Sequence, residues 1–318
     1  MTWTTWIGLL LCNLVWAVNP SIAKRIILEI GPQHTAWLKY VVALLTYVTV
    51  MGCLRLRSQN KKNKLFMPLK PDKNLLLVIL IGFATCFVSP MTQMSGLKAS
   101  TAVNNSILVT FEPIFTVVFG CLIFRERLKK SHYLSFPLAI MGFLFLSNIF
   151  EKSAAGQMRS FAMGYGDLLL LAAVAGEALY SVLARDLIKR YQGPMIFGSA
   201  MLVGVILLSS VVLPWKGLPD LAGLSVTGWF AVVWLGVMGT AVPYLYWLHA
   251  LRKSLSLGSV VLSLFLQPLL GSIAAVVFLG ESFGTNQIIG GGMICLGIAF
   301  QAFTENRSAV KREALSFP

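Results

Sequence analysis

Two carboxyl groups lie inside long apolar stretches of this chain. Glu177 stands among Ala and Gly residues, and Glu112 directly precedes Pro113. A charge in an apolar interior costs roughly 3 kcal/mol, so such a group usually pairs or faces water. Glu177 could therefore bind a cationic group or carry a proton, or it could form a structural ion pair with Lys39, which lies in another apolar stretch. For Glu112 the competing interpretation is structural, with its carboxyl binding backbone groups beside the proline.

Two segments carry polar residues at helical spacing, with steps of three or four residues that place them on one helix face. The faces read Ser256, Ser259, Ser263 and Gln267 in one segment and Thr101, Asn104, Leu108 and Glu112 in the other. Two facing polar stripes predict a cavity that holds water. The alternative is that Ser, Thr and Asn side chains only join neighbouring helices.

Aromatic residues cluster near the end of another apolar stretch, at Tyr244, Tyr246, Trp247 and His249. They fit either a belt at a membrane–water interface or a wall that contacts an apolar or cationic ligand. The predicted lining of the cavity is completed by further residues from other stretches, namely Trp16, Asn19, Gln93, Tyr180 and Ser181.

Signs of catalysis or of a bound cofactor are missing from the sequence. The three histidines are scattered near predicted helix ends, and the chain contains no GxSxG, HExxH or phosphate-binding loop. None of the five cysteines forms a CxxC pair, so they read as small core residues. We therefore expect no catalytic residue, no metal, no cofactor and no enzyme activity.

The composition places these residues in a membrane. Of the 318 residues 57% are hydrophobic and 12% charged, and the mean hydropathy is +0.77; soluble domains carry roughly 25% charged residues. The net charge of +14 does not indicate a nucleic-acid partner, because the basic residues form short clusters between apolar runs. Such clusters are typical of proteins that contact anionic lipid head groups.

Ten apolar stretches approach the ~20 residues that span a bilayer. They cover residues 4–23, 34–54, 74–94, 101–124, 131–150, 166–184, 195–214, 226–249, 256–279 and 285–303. No basic residue precedes Lys24, which favours a retained first helix over a cleaved signal. With the N-terminus in the cytoplasm, 19 Lys and Arg fall on the inside and six on the outside. Both termini are therefore predicted to be cytoplasmic, with a polar, frayed tail at 304–318.

The chain contains an internal repeat. Pro113, Glu126 and Gly142 recur 155 residues later as Pro268, Glu281 and Gly297. Five helices in each copy is an odd number, so the second copy must insert upside down relative to the first. The sequence thus predicts an all-α membrane protein with ten transmembrane helices in two inverted five-helix repeats, at 1–150 and 164–303.

The repeated motifs resemble those of the EamA family of the drug/metabolite transporter superfamily. The first copy reads LKASTA, FEPIF and FRERL, and the second reads ALRKSLS, QPLL and LGES. The resemblance implies a ten-helix carrier whose central cavity is lined by helices 1, 3, 4, 6, 8 and 9. The chain departs from the family pattern at Lys39, usually Arg, at Gln267, often Glu, and at Glu177, commonly aromatic.

The resemblance implies a secondary transporter of small metabolites, amino-acid-like or otherwise polar or zwitterionic, that exports them across the inner membrane by alternating access. The predicted substrate-binding residues are Trp16, Asn19, Gln93, Asn104, Glu177, Tyr180, Tyr244, Trp247, Ser259 and Ser263, with Glu177 and Glu112 as coupling or structural carboxyls. Alternatives are uptake or exchange of a larger metabolite, such as S-adenosylmethionine or a nucleotide sugar, and a membrane enzyme or lipid-handling protein. Partners are a small-molecule substrate, the lipid bilayer and, as one option, a coupling proton. The oligomeric state is left open, and a monomer is compatible with the sequence.

Overall fold

The computed structural model describes residues 3–58, 64–68, 71–100, 102–125, 132–146, 164–253, 260–270 and 285–316, and its regular structure in these ranges is entirely helical. The helices are α1 (Trp3–Ser58), α2 (Lys73–Phe83), α3 (Ser89–Ala99), α4 (Ala102–Leu108), α5 (Glu112–Phe124), α6 (His132–Leu146), α7 (Tyr165–Leu187), α8 (Gly193–Lys216), α9 (Val226–Gly236), α10 (Val242–Lys253) and α11 (Thr285–Ser316). Two π-helical segments (Ala84–Val88 and Val237–Ala241) and two 3₁₀ turns (Val109–Phe111 and Leu262–Phe265) connect some of them.

Helix α1 contains the first two predicted spans, separated only by Gly31. This glycine has φ 79°, a conformation that other residues rarely adopt, and Pro32 follows it. The sequence predicts the first span to end at residue 23. The helix continues further because Ile26 and Ile27 are buried in the core. Asn19 and Lys39 of α1 line the same cavity, although a straight helix would separate them by about 30 Å. The chain therefore folds back at Gly31.

Six helices of the described ranges are long and apolar enough to cross a membrane. They are Thr4–Arg57, Lys73–Ala99, Asn104–Phe124, Tyr165–Leu187, Gly193–Lys216 and Val226–Lys253. Two shorter apolar helices, His132–Phe145 and Ile288–Gln301, accompany them. The many exposed large apolar residues on these helices agree with a lipid environment. The molecule is a multi-pass membrane protein.

Helices α6 and α11 pack together beside the main core. A Cβ atom on Gly142 would lie 2.6 Å from the carbonyl oxygen of Gly290, and one on Gly297 would lie 3.0 Å from that of Ser135. Only small residues permit so close an approach. The frayed tail predicted after residue 303 is wrong for the described residues, because α11 continues to Ser316. Ala, Lys, Arg, Glu and Leu in this stretch are good helix formers.

Candidate functional site

A polar cavity lies at the centre of the main helix group. It leaves about 80 Å³ open to the centres of water-sized spheres, enough for several water molecules. The lining residues come from α1, α3, α4, α5, α7, α9 and α10, together with Val109 of the first 3₁₀ turn, Gly239 of the second π segment and Gln267, which follows the second 3₁₀ turn. Its polar and aromatic lining residues are Trp16, Asn19, Lys39, Gln93, Asn105, Ser106, Glu112, Glu177, Tyr180, Ser181, Tyr244, Trp247 and Gln267.

Glu177 is held by two hydroxyl groups from other helices. The Ser89 hydroxyl donates to Oε1 at 2.8 Å, and the Tyr244 hydroxyl donates to Oε2. From sequence we expect a carboxyl without local partners. The structure supplies both partners from α3 and α10, at positions that the local sequence around Glu177 does not indicate. Each oxygen keeps a further lone pair, so Glu177 can still accept a bond from a ligand.

The Lys39–Glu177 ion pair, which was the alternative interpretation of Glu177, is not formed as a direct contact. Lys39 attracts Glu177 electrostatically, but within the described ranges no nitrogen–oxygen contact of 4 Å or less joins them. The Lys39 ammonium instead lies 5.4 Å from the centre of the Tyr40 ring. The Tyr40 hydroxyl donates to the Thr85 carbonyl oxygen at 3.1 Å, which fixes the ring below the ammonium. Lys39 therefore belongs to the cavity wall as a separate cation.

Glu112 also faces the cavity, close enough to Glu177 for electrostatic repulsion between the two carboxylates. It begins α5, where Pro113 occupies the position at which a missing N–H costs least. The Glu112 backbone carbonyl accepts the Thr116 hydroxyl at 2.8 Å. The cavity thus contains two acids and one base, a net charge of −1 if all three are ionised.

Aromatic side chains form one wall. The Trp16 ring meets Tyr244 and Trp247 edge-on, each with centroids 5.6 Å apart, and Tyr180 meets Tyr244 at 5.1 Å. The Trp247 indole N–H donates to the Ser181 hydroxyl at 2.8 Å. Tyr244 and Trp247 therefore form part of this wall. Tyr246 lies elsewhere and donates to the Thr4 carbonyl at 3.0 Å.

The carbonyl of Gly239 is a site feature that the sequence analysis missed. Pro243 has no N–H to donate to it, so the turn widens into a π segment. The Trp16 indole N–H donates to this carbonyl at 3.2 Å and the Asn19 amide at 3.4 Å. Asn19 is itself oriented by Trp234, whose indole N–H donates to its Oδ1 at 3.2 Å. The proline at position 243 was the available signal.

Two predicted site residues lie outside the cavity. Asn104 donates to Asp167 at 3.0 Å and to the Ser100 hydroxyl at 3.3 Å, at the end of α4. Ser263 donates to the Val260 carbonyl at 2.7 Å and accepts from Asn13 at 3.3 Å. Both positions have one physical reason, since the 3₁₀ turns in these segments change the angular step from 100° to about 120°. Ser259 lies outside the described residues.

The same change in the angle between successive residues places on the cavity wall a residue that the strict helical period had excluded. Asn105 lines the cavity in place of Asn104, and its side chain is 1% exposed. An uninterrupted α-helix through this segment would place Leu108 on the same face as Glu112, one turn before it. The 3₁₀ turn instead places Val109 there, and Asn105 one helical turn further along.

Similarity to known proteins identifies the family to which the chain belongs. The model of the EamA-like transporter family matches residues 3–148 and 164–303. The chain belongs to the EamA-like transporter family. The family resemblance seen in the sequence is thereby confirmed, and a general transport role follows from the membership.

Curated relatives extend over most of the chain. It is 24% identical to an uncharacterized transporter of Archaeoglobus fulgidus, over 92% of this chain and 96% of that protein. It is 27% identical to a protein named "Probable terminal-alkyne amino-acid exporter" from Streptantibioticus cattleyicolor, over 67% of each. A solved crystal structure shares the fold with a TM-score of 0.70 at 17% identity, covering 96% of this chain and 99% of that one.

Proposed function

We propose that this EamA-family protein is a secondary carrier that exports small polar or zwitterionic solutes, amino-acid-like in size, by alternating access. The observation that carries the proposal is the cavity, which combines two carboxyls, an ammonium group and an aromatic wall. Similarity to a protein named as a probable amino-acid exporter supports the solute class and the direction.

The proposal includes ten transmembrane helices in two inverted repeats, 1–150 and 164–303. Two kinds of helix irregularity recur in the second half at nearly the same spacing from the first, and this recurrence supports the repeat. The π segment at Ala84–Val88 recurs 153 residues later at Val237–Ala241, and a 3₁₀ turn closely precedes both Pro113 and Pro268. Alternating access in such folds comes from one repeat moving against the other around a central site.

We further propose that both termini are cytoplasmic and that the protein resides in the inner membrane. The charge bias of the loops supports this orientation. Reporter fusions after Lys64 and Lys129 are expected to report the cytoplasm, and a fusion near Gly284 the opposite side. A fusion after Lys64 that reports the outside would overturn the topology.

Solute flux into liposomes tests the carrier and the role of Glu177 together. Purified protein is reconstituted and given a metabolite mixture, and the accumulated solutes are identified by mass spectrometry. Glu177→Gln keeps the shape and removes the charge, and we expect at least a tenfold loss of flux and a changed pH dependence. Asp186→Asn in the same helix is the matched control, because Asp186 pairs with Lys189 away from the cavity. If no solute moves faster than in protein-free liposomes, the carrier proposal fails.

A further inference from the structure

Three hydrogen-bond donors on the cavity wall have no partner in the described part of the chain. The Lys39 side chain is 7% exposed and makes neither a hydrogen bond nor an ion pair there. The Tyr180 hydroxyl and the Asn105 side-chain amide are also unpartnered among those residues, and each side chain is 1% exposed. Buried polar groups of proteins are nearly always bonded to protein, water or a ligand. All three residues line one cavity, which indicates a place where a ligand binds.

The nearest acid does not use these donors. Ser89 and Tyr244 donate to the two oxygens of Glu177 and so fix the orientation of its carboxylate. Lys39 and Tyr180 both interact electrostatically with Glu177, so they lie in one region of the cavity. Glu177 therefore stabilises the ammonium charge from a distance and leaves its N–H groups free to bond.

The charges of the cavity define which acceptor fits. An ammonium, a hydroxyl and an amide can all donate to an oxyanion, and the ammonium supplies a charge-assisted bond. Glu112 and Glu177 lie nearby, so a dianion such as phosphate would meet two like charges for one opposite charge. A single carboxylate, carried by a solute with its own cationic group, is the acceptor that balances this set.

We propose that Lys39, Tyr180 and Asn105 form a carboxylate-binding subsite, which orients the solute with its cationic group toward Glu112 and Glu177. The subsite rests on the carrier function proposed above and defines the part of the solute that the cavity recognises. Lys39 supplies the charge, and the other two donors fix the direction of the carboxylate.

Binding to the full-length protein in nanodiscs, measured by isothermal titration calorimetry, tests the subsite. The probes are leucine and leucinamide, which have nearly the same shape and the same ammonium group and differ in that only leucine carries a carboxylate. Wild type is expected to prefer the carboxylate. Lys39→Met should reduce that preference about 10- to 100-fold, the effect of losing a hydrogen bond to a charged group. Lys39→Arg should retain most of the preference.

Tyr180→Phe and Asn105→Leu provide a second measurement that does not depend on the lysine. Each is expected to reduce the preference for the carboxylate about 3- to 10-fold, with little effect on the amide. Lys216→Met is the control, because Lys216 lies over Trp215 and does not line the cavity. Elution as a single species in size-exclusion chromatography shows that each variant is folded.

Two results would overturn the subsite. One is that the wild-type protein binds the carboxylate no more tightly than the amide, or binds neither probe. The other is a folded Lys39→Met protein that keeps the wild-type preference. Liposome flux is measured separately, so a protein that binds the carboxylate without moving any solute retains the subsite and disproves the carrier. A protein that moves solutes but does not prefer the carboxylate retains the carrier function and disproves the subsite.

Discussion

The two π segments have the same backbone form in different surroundings. Ala84–Val88 packs against α7 and α8, where the Thr85 hydroxyl donates to the Gly176 carbonyl at 2.9 Å. Val237–Ala241 packs against α1 and borders the cavity through Gly239. In both, a proline lies two residues beyond the segment and the next N–H bonds five residues back. A repeated backbone feature thus serves packing in one half and the cavity wall in the other.

Glycine substitutions should separate these two roles with the largest effect. A Cβ on Gly204 of α8 would lie 2.2 Å from the Cβ of Cys86 and 2.8 Å from its carbonyl oxygen, in the first π segment. The backbone cannot move away easily, so Gly204→Ala should cost about 3 kcal/mol of folding free energy. The three atoms nearest to a Cβ on Gly239 all belong to the Asn19 side-chain amide, at 2.9 to 3.2 Å. Gly239→Ala should leave stability nearly unchanged and lower solute flux.

Thermal unfolding in detergent and liposome flux measure the two quantities. We expect Gly204→Ala to lower the melting temperature strongly while the folded fraction keeps its wild-type flux per molecule. Gly217→Ala is not a suitable control because Gly217 has φ 74°. Gly52→Ala is suitable, since no atom lies within 4 Å of the added Cβ. Equal losses of flux per folded molecule in both test variants would remove the distinction between the segments.

Threonine substitutions should give a smaller effect of the same kind. Thr85→Val removes a bond between helices, to the residue next to Glu177, whereas Thr240→Val removes a bond within its own helix, to the Leu235 carbonyl at 2.8 Å. Valine has nearly the shape of threonine, so each change should cost about 1 kcal/mol. Only Thr85→Val is expected to alter the pH dependence of flux, because Gly176 positions Glu177. A pH profile shifted by Thr240→Val alone would contradict this assignment.

Much of the fold could be predicted from the sequence, and the exceptions have local physical causes. Apolar length indicated the helices because lipid requires it, and the two acids in apolar runs located the cavity. Asn104 and Ser263 are not among the residues that line the cavity, because a strict 3.6-residue period ignores the 3₁₀ turns before Glu112 and Gln267. The partners of Glu177 are far away in the chain, and such tertiary contacts leave no local pattern.

The helix caps before the two π segments should give the smallest difference. Asp72 caps α2 by accepting from the N–H groups of Asn74 and Leu75, and Ser225, 153 residues later, caps α9 by accepting from Gly228. The bond from the Leu75 N–H is the main cause that lowers the pKa of Asp72 below its usual value. A carboxyl with a lowered pKa in the folded state stabilises the protein above its unfolded pKa, and this stabilisation is lost as the pH falls through the folded pKa.

The prediction is therefore that the two caps differ in their response to acid. Asp72→Asn should lower the melting temperature slightly at pH 7 and have no effect once the pH is below the folded pKa of Asp72. Ser225→Ala should cost about 1 kcal/mol at every pH from the lost bond to the Gly228 N–H, because a hydroxyl does not titrate in this range. A further part of its effect should disappear in acid, because the Ser225 hydroxyl also donates to the Glu29 carboxylate at 2.7 Å. Melting temperatures of wild type and both variants, measured from pH 3 to pH 8, test this. Parallel curves for wild type and Asp72→Asn across that range would show that the charge of Asp72 does not contribute to the cap.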